Sequence, residues 1–88
     1  MKQHDYNVLM SASGIKILQF LTKNEATTLS EIETALEIGH TWCSHVIEIF
    51  RVDKIVTKKK QGRENIIYIT SKGMMIGKSY NHAEVLLK

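Results

Sequence analysis

The chain has no proline and a single cysteine, Cys43, among its 88 residues. One cysteine excludes an intrachain disulfide, and with it a scaffold held together by internal disulfides. Residues 1–5 lack the apolar core of a signal peptide, and no segment approaches the roughly 20 apolar residues that cross a membrane. We therefore expect a soluble, cytoplasmic protein with no membrane partner.

The sequence also lacks the common catalytic motifs, having neither a glycine-rich phosphate loop nor a paired-carboxylate motif. His40, Cys43 and His45 are residue types that bind zinc. On a helix, however, Cys43 and His45 point in nearly opposite directions, which disfavours both a metal site and a Cys–His nucleophilic pair. We predict no enzymatic activity, no metal and no cofactor. No small-molecule ligand is evident, because nothing in the sequence marks an effector pocket, and ligand sensing stays open. Cys43 is interpreted as a small core residue, with a redox-active or intersubunit thiol as the alternative.

No low-complexity stretch, repeat or linker divides the sequence, so residues 1–88 are predicted to form one domain. A chain of this length buries only a little over ~60% of its unfolded surface, which leaves a thin core. A second subunit would add buried surface, and we therefore expect a homodimer.

Positive charge is concentrated in the second half of the chain. Residues 1–44 carry three Lys against five acids, net −2, whereas residues 45–88 carry nine Lys and Arg against four acids, net +5. Six of the twelve basic residues lie between Arg51 and Arg63, where Asp53 is the only acid. A positive field this local indicates a binding face for an anionic partner, although a solvated surface is the alternative.

The basic segment has the pattern of a β-hairpin. The apolar pair Ile55-Val56 is followed by three lysines, a polar tip that contains Gly62, and the apolar residues 66–69. A hairpin with a cationic tip suits a nucleic-acid backbone. Because side chains alternate along a strand, Lys58 and Lys60 should share one face and Lys59 should take the other.

Local patterns predict a short strand and two helices before the third helix. An apolar stripe predicts a helix over residues 13–23, and the mostly β-branched residues 26–28 predict a strand able to pair with the hairpin. Ser30 followed by Glu33 is a capping box that places the next helix start at Ser30, and Gly39 interrupts its pattern. The buried stripe of this helix is predicted to comprise Ile32, Ala35 and Leu36.

The third predicted helix, residues 41–53, has one apolar face and one polar face. The apolar face repeats at helical spacing and comprises Cys43, Val46, Ile47 and Phe50. The opposite face comprises Thr41, Ser44, His45, Glu48 and Val52. Trp42 is expected to pack against Ile49 and the N-terminal segment, residues 1–12, which form a short helix or an arm. The alternative is that Trp42 stacks or wedges at DNA.

The element order resembles that of the winged helix-turn-helix DNA-binding proteins, especially small bacterial and archaeal transcriptional regulators. The resemblance covers about residues 13–75. Residues 29–46 fit the helix-turn-helix without a gap, and residues 68–73 are similar to the strand-to-helix junction of the family, which usually reads Tyr, apolar, Thr, any residue, Lys, Gly. The family often has a small residue at the place of Glu33 and glycine at the place of Glu37. Here the glycine falls at Gly39, which predicts a turn of different shape.

The resemblance implies an α+β, mainly helical fold with a two- to three-stranded antiparallel wing and a C-terminal helix. It further implies sequence-preferring binding of double-stranded DNA, with the third helix in the major groove and the wing on the backbone. The implied DNA-binding residues are His40, Thr41, Trp42, Ser44, His45, Lys58, Lys59, Lys60 and Arg63. The apolar face of the C-terminal helix, residues 71–88, is predicted to form the dimer seam. Its members are Ile76, Tyr80, Ala83 and Leu87.

The helix that would enter the groove has an unusual surface, because its exposed face carries Glu48 and neither Arg nor Lys. The wing is therefore expected to supply most of the affinity. One alternative function is a protein-interaction adaptor, with Trp42, Ile49 and Val52 as interface anchors. Another is a DNA partition, replication or chromatin protein without gene control.

Overall fold

The computed structural model describes the backbone of residues 12–87 and the side chains of residues 12–79. Within this range, four helices and three strands follow one another in the predicted order. The elements are α1 (Ala12–Lys23), β1 (Ala26–Thr28), α2 (Leu29–Leu36), α3 (His40–Val52), β2 (Val56–Gln61), β3 (Glu64–Ile69) and α4 (Ser71–Leu87). The α+β, mainly helical prediction is confirmed, and each predicted helix begins within one residue of its observed start.

The strands form one antiparallel sheet of order β1-β3-β2, so the short strand pairs with the hairpin as predicted. Gly62 has φ +62°, a left-handed conformation that glycine adopts without steric cost, and it allows the tight turn between β2 and β3. Thr27, Val56 and Ile67 are buried on one face of this sheet. The base of the hairpin is therefore anchored in the core, whereas its tip extends into solvent.

The start of α2 differs from the prediction. Thr28 is the N-cap: its Oγ1 accepts a hydrogen bond from the Glu31 amide at 3.2 Å, and Glu31 Oε1 accepts one from the Thr28 amide at 2.9 Å. The capping box is therefore Thr28–Glu31, two residues before the predicted Ser30–Glu33. Both pairs satisfy the motif, but pairing of β1 with β3 holds Thr28 in the extended conformation that an N-cap needs.

The buried stripe of α2 also differs from the prediction at one residue. Ile32 is buried and Leu36 half-buried, but Ala35 is exposed, so its predicted burial is wrong. At the end of the helix Glu37 adopts a left-handed conformation, with φ 54° and ψ 48°. The left-handed residue of the turn thus falls at the position where the resemblance places glycine. Gly39 instead has extended geometry and is the N-cap of α3.

One hydrophobic core joins α1, α2, α3 and the base of the sheet. Its fully or almost fully buried side chains are Ile17, Leu18, Leu21, Ile32, Cys43, Val46, Ile47, Ile49, Phe50, Ile55, Val56 and Ile67. The predicted apolar face of α3 lies entirely within this set. Burial of that face fixes the rotation of α3 and leaves its polar face outward.

Three residues tie the start of α4 to the segment between α3 and β2. Thr70 Oγ1 accepts a hydrogen bond from the Gly73 amide at 3.0 Å and lies 2.7 Å from the Lys54 carbonyl oxygen, to which it donates. Lys72 Nζ donates to the Asp53 carbonyl oxygen at 2.9 Å. Thr70 therefore caps α4, and these contacts place the helix beside the base of the wing.

Candidate nucleic-acid interface

The outward face of α3 carries the side chains that the sequence predicts. Thr41, His45, Glu48 and Val52 are exposed, and Ser44 is half-buried. Hydroxyl and imidazole groups donate and accept hydrogen bonds, so this face is able to contact the edges of base pairs. The face begins at the N-terminus of α3, where the first amide groups have no intrahelical acceptor.

Trp42 lies at the edge of this face and is 39% exposed. Its ring centroid is 5.3 Å from that of His45, with the two rings tilted by 37°. The described residues therefore leave more than a third of Trp42 exposed, and its ring contacts an exposed side chain of the same helix. The expected contact with residues 1–11 lies outside the described residues.

Ile49 is only 7% exposed and belongs to the core. It is therefore not available as the interface anchor that the adaptor hypothesis requires. Val52, at 60% exposure, remains accessible. The apolar groups that α3 presents to solvent are thus Trp42 near its start and Val52 at its end.

His40 begins α3 and makes a contact with α2 that the sequence analysis did not predict. Its Nδ1 lies 2.7 Å from Glu33 Oε2, so the two helices of the motif are joined across the turn. Glu33, which stands where the family often has a small residue, therefore serves as the partner of His40. This contact could not be predicted from the sequence, because Glu33 and His40 are seven residues apart and a turn lies between their helices.

Cys43, which lies between His40 and His45 in the sequence, is fully buried. Burial, together with the negative charge of Glu33, raises the pKa of the Cys43 thiol to about 11. A protonated, buried thiol is a poor nucleophile and a poor metal ligand. No group of three His, Cys, Asp or Glu side chains in the described residues is arranged to hold a metal ion.

The wing presents its lysines on two faces, as the alternation predicts. Lys58 lies opposite the buried Ile67, on the face of the sheet that is turned toward the helices. Lys59 lies opposite Ile66 on the other face, where its Nζ is 5.8 Å from the centroid of the Tyr68 ring. Lys58 is therefore directed toward α3, whereas Lys59 makes a cation–π contact on the outer surface.

Glu48 connects the two parts of the candidate interface. Its carboxylate oxygens accept hydrogen bonds from Arg51 Nε at 3.0 and 3.1 Å, and Arg51 Nη2 also contacts it. Lys58 Nζ lies 4.0 Å from the same carboxylate. The hydrogen bonds from Arg51 hold the pKa of the Glu48 carboxyl below its ordinary value. The acid that is unexpected on this face is therefore ionised and paired.

A shallow groove joins the start of α3 to the tip of the wing. It is lined by Thr28, Leu29, Ser30, His40, Arg63, Glu64 and Asn65. His40 and Arg63 are 23 positions apart in the chain but border the same groove. The start of α3 and the tip of the wing therefore border one groove, and the approach of Lys58 to Glu48 joins the polar face of α3 to β2.

The predicted dimer seam lies on another part of the molecule. Ile76 is half-buried and packs against the core of its own chain, while the neighbouring Met75 is 73% exposed. The side chains of Tyr80, Ala83 and Leu87 lie outside the described residues. None of the described helices is long and apolar enough to cross a membrane.

Comparison with known proteins supports the fold through structure rather than sequence. No model of a known protein family matches the chain, and neither does any curated protein. Among solved structures, AF1382 from Archaeoglobus fulgidus is 20% identical, with a TM-score of 0.84 over 93% of this chain and 94% of that one. The transcriptional repressor PagR of Bacillus anthracis is 22% identical, with a TM-score of 0.74 over 88% of each chain.

A longer protein, BpsR of Bordetella bronchiseptica, matches with 19% identity and a TM-score of 0.76. The match covers 83% of this chain but only 54% of BpsR, so this chain spans about half of that protein. The DNA binding of BpsR is regulated by 6-hydroxynicotinic acid. At these identities the likeness shows the fold alone: the chain has the winged helix-turn-helix architecture found in transcriptional regulators.

Proposed function

We propose that this protein binds double-stranded DNA as a homodimeric transcriptional regulator, with α3 in the major groove and the basic wing along the backbone. The observation that carries the proposal is that His40, at the start of α3, and Arg63, at the tip of the wing, border one groove. The structural likeness to PagR, a transcriptional repressor, and to BpsR, a DNA-binding protein, supports it.

The two parts of the surface would have different tasks. Thr41, Ser44 and His45 would contact base edges, because hydroxyl and imidazole groups suit the mixed donors and acceptors of the major groove. Trp42 would lie over the groove edge beside His45. The wing would supply most of the affinity through Lys60 and Arg63 at its tip, since phosphate contacts dominate protein–DNA affinity.

Lys58 and Lys59 would act at the margins of this surface. The positive charge of Lys58 is partly offset by the nearby carboxylate of Glu48. Lys59 lies on the outer face of the wing against Tyr68. We therefore assign the larger phosphate contribution to the tip.

Dimerisation would use α4. Ile76, Tyr80, Ala83 and Leu87 recur along this helix at spacings of four, three and four residues, which suits packing against a second helix. A two-fold dimer would recognise a pseudo-palindrome with half-sites roughly 34 Å apart, about one helical turn of DNA. In this arrangement residues 1–88 form one domain with α4 as its dimerisation element.

The test is selection of bound duplexes from a random DNA pool at moderate salt, followed by a salt series on the selected site. If three phosphates are neutralised per subunit, log K should fall with log salt at a slope of about −3 per subunit. The double variant Lys60→Ala/Arg63→Ala should reduce that slope by about 2 per subunit. The matched control, Lys16→Ala/Lys23→Ala, removes the same charge from α1 and should leave it unchanged.

A protein-interaction adaptor is the second candidate, favoured by the exposure of Trp42 and Val52 on one helix. It predicts that no duplex is enriched or shifted even at low salt. It also predicts that a protein partner is captured by the wild type and lost with Trp42→Ala/Val52→Ala. Enrichment of DNA sites with two-fold symmetry would instead support the transcriptional-regulator function.

A further inference from the structure

Glu48 lies on the outward face of α3 and contacts two cations from different elements. Arg51 follows it by one turn of α3, and Lys58 belongs to β2. The three side chains carry a net charge of +1 rather than the +2 of the two cations alone. The pairing therefore halves the positive charge that this part of the surface would offer to phosphate.

Stability does not account for a carboxylate at this position. Glu48 and Arg51 are each about half exposed, and ion pairs between solvated side chains contribute little to folding because water and salt screen them. A carboxylate pointing toward DNA also repels phosphate. A neutral polar side chain at position 48 would preserve the exposed helix face and avoid that repulsion.

We propose, on the basis of the DNA-binding function above, that Glu48 limits non-specific DNA binding by holding Arg51 and Lys58 away from the phosphate backbone. The affinity for random duplex is then kept low, and stable binding depends on the base contacts of Thr41, Ser44 and His45. Glu48 is in this view a specificity-determining residue that acts through the two cations. It need not contact DNA itself.

The proposal makes a quantitative prediction for Glu48→Gln. This variant removes the carboxylate but keeps the size and polarity of the side chain. Release of two cations adds up to two phosphate contacts, each of which changes the slope of log K against log salt by about −0.9. We expect affinity for a random-sequence duplex to rise about 10-fold at moderate salt and the slope to steepen by 1 to 2 per subunit. The ratio of specific to non-specific affinity should fall.

Two control variants separate this mechanism from a simple effect of net charge. Glu25→Gln removes one negative charge from the exposed segment before β1, beside the start of α4, and should leave the slope unchanged. In a background of Arg51→Gln/Lys58→Gln there are no cations to release, so adding Glu48→Gln should no longer steepen the slope. Thermal unfolding of each variant checks that it is folded before binding is measured.

The possible outcomes are distinct. An unchanged slope for Glu48→Gln, or a steeper slope that persists without Arg51 and Lys58, would overturn the inference while leaving DNA binding intact. The inference would also be overturned if Glu48→Gln lost affinity only for sites with a C·G pair at one position. Glu48 would then be accepting a hydrogen bond from the amino group of that cytosine. If neither the wild type nor the variant binds any duplex at low salt, the proposed function fails together with the inference.

Discussion

A Cβ atom added to Gly73 would lie 2.4 Å from the carbonyl oxygen of Ile55. Such a contact is far inside van der Waals distance, and it involves backbone that is already hydrogen-bonded to the Thr70 amide. Glycine is therefore required where the first turn of α4 crosses the start of the wing. This contact, with the cap of Thr70 and the hydrogen bond from Lys72, explains physically why Thr, Lys and Gly occur together at the junction.

Gly73→Ala should accordingly destabilise the protein. Overpacking in a well-packed site typically costs about 1–3 kcal/mol, and we expect a loss of that size in the free energy of unfolding measured with urea. Gly39→Ser is the control, because a Cβ at Gly39 meets nothing within 4 Å. Serine there also supplies an N-cap oxygen for α3. Equal stability of the two variants would contradict the close approach.

The position of the capping box can be tested by two alanine substitutions. Thr28→Ala removes the hydroxyl that accepts a hydrogen bond from the Glu31 amide. It should lower the free energy of unfolding by about 1 kcal/mol. Ser30→Ala, inside the first turn of α2 and exposed, should change it by less than about 0.5 kcal/mol. Denaturant unfolding of both variants measures the difference. A larger loss for Ser30→Ala would restore the box predicted from sequence.

The left-handed conformation of Glu37 predicts a stabilising substitution. A non-glycine residue in this conformation costs roughly 1–2 kcal/mol, and glycine avoids the strain but loses more backbone entropy on folding. We expect Glu37→Gly to raise the free energy of unfolding by about 0.5–1 kcal/mol. Glu37→Ala removes the same charge but retains the strain, so an equal gain for alanine would attribute the effect to charge instead.

The thiol of Cys43 should be unreactive while the protein is folded. With its pKa raised to about 11 from an ordinary value of 9.0, the thiolate fraction at pH 8 is roughly 100-fold lower than in the unfolded chain, and burial restricts access further. Alkylation by iodoacetamide at pH 8 should therefore be more than about 100-fold slower in the folded protein than in urea. Rapid labelling of the folded protein would support the redox-thiol alternative.

The same pKa shift has a consequence for stability. Between pH 9 and 11 the unfolded chain releases the thiol proton while the folded protein keeps it, so the unfolded state is favoured as the pH rises. The contribution of Cys43 to stability is complete below pH 9 and is lost progressively toward pH 11. Comparison of the pH profiles of wild type and Cys43→Ala isolates this effect from other titrating groups.

Much of the fold was predictable because its signals are local. Apolar spacing within α3 identified its buried and exposed faces, and the two apolar runs around Gly62 identified the hairpin. Where two local signals competed, sequence alone was insufficient. Thr28 and Ser30 both begin a capping box, and the choice between them was made by strand pairing at β1.

The candidate site was predicted less completely than the fold. Its residues were identified on α3 and the wing, but the contacts of Glu48 with Lys58 and of His40 with Glu33 were missed. The contact between Glu48 and Arg51 could be predicted from the sequence, because residues three apart on one helix are neighbours. Whether Trp42 is packed or exposed stayed open, because periodicity places a side chain on one face of a helix but does not say which other residues cover it.

The sequence by itself determined the order and type of the helices and strands and which face of α3 is polar, since these follow from periods of 3.6 and 2 along one chain. It also determined that positive charge is concentrated around the wing. Only the tertiary structure decided how that charge is used. Sheet register directs Lys58 toward Glu48 and Lys59 toward Tyr68, and the packing of helices against the sheet brings His40 and Arg63 to one groove. Contacts between elements depend on these relative positions, which no local pattern encodes.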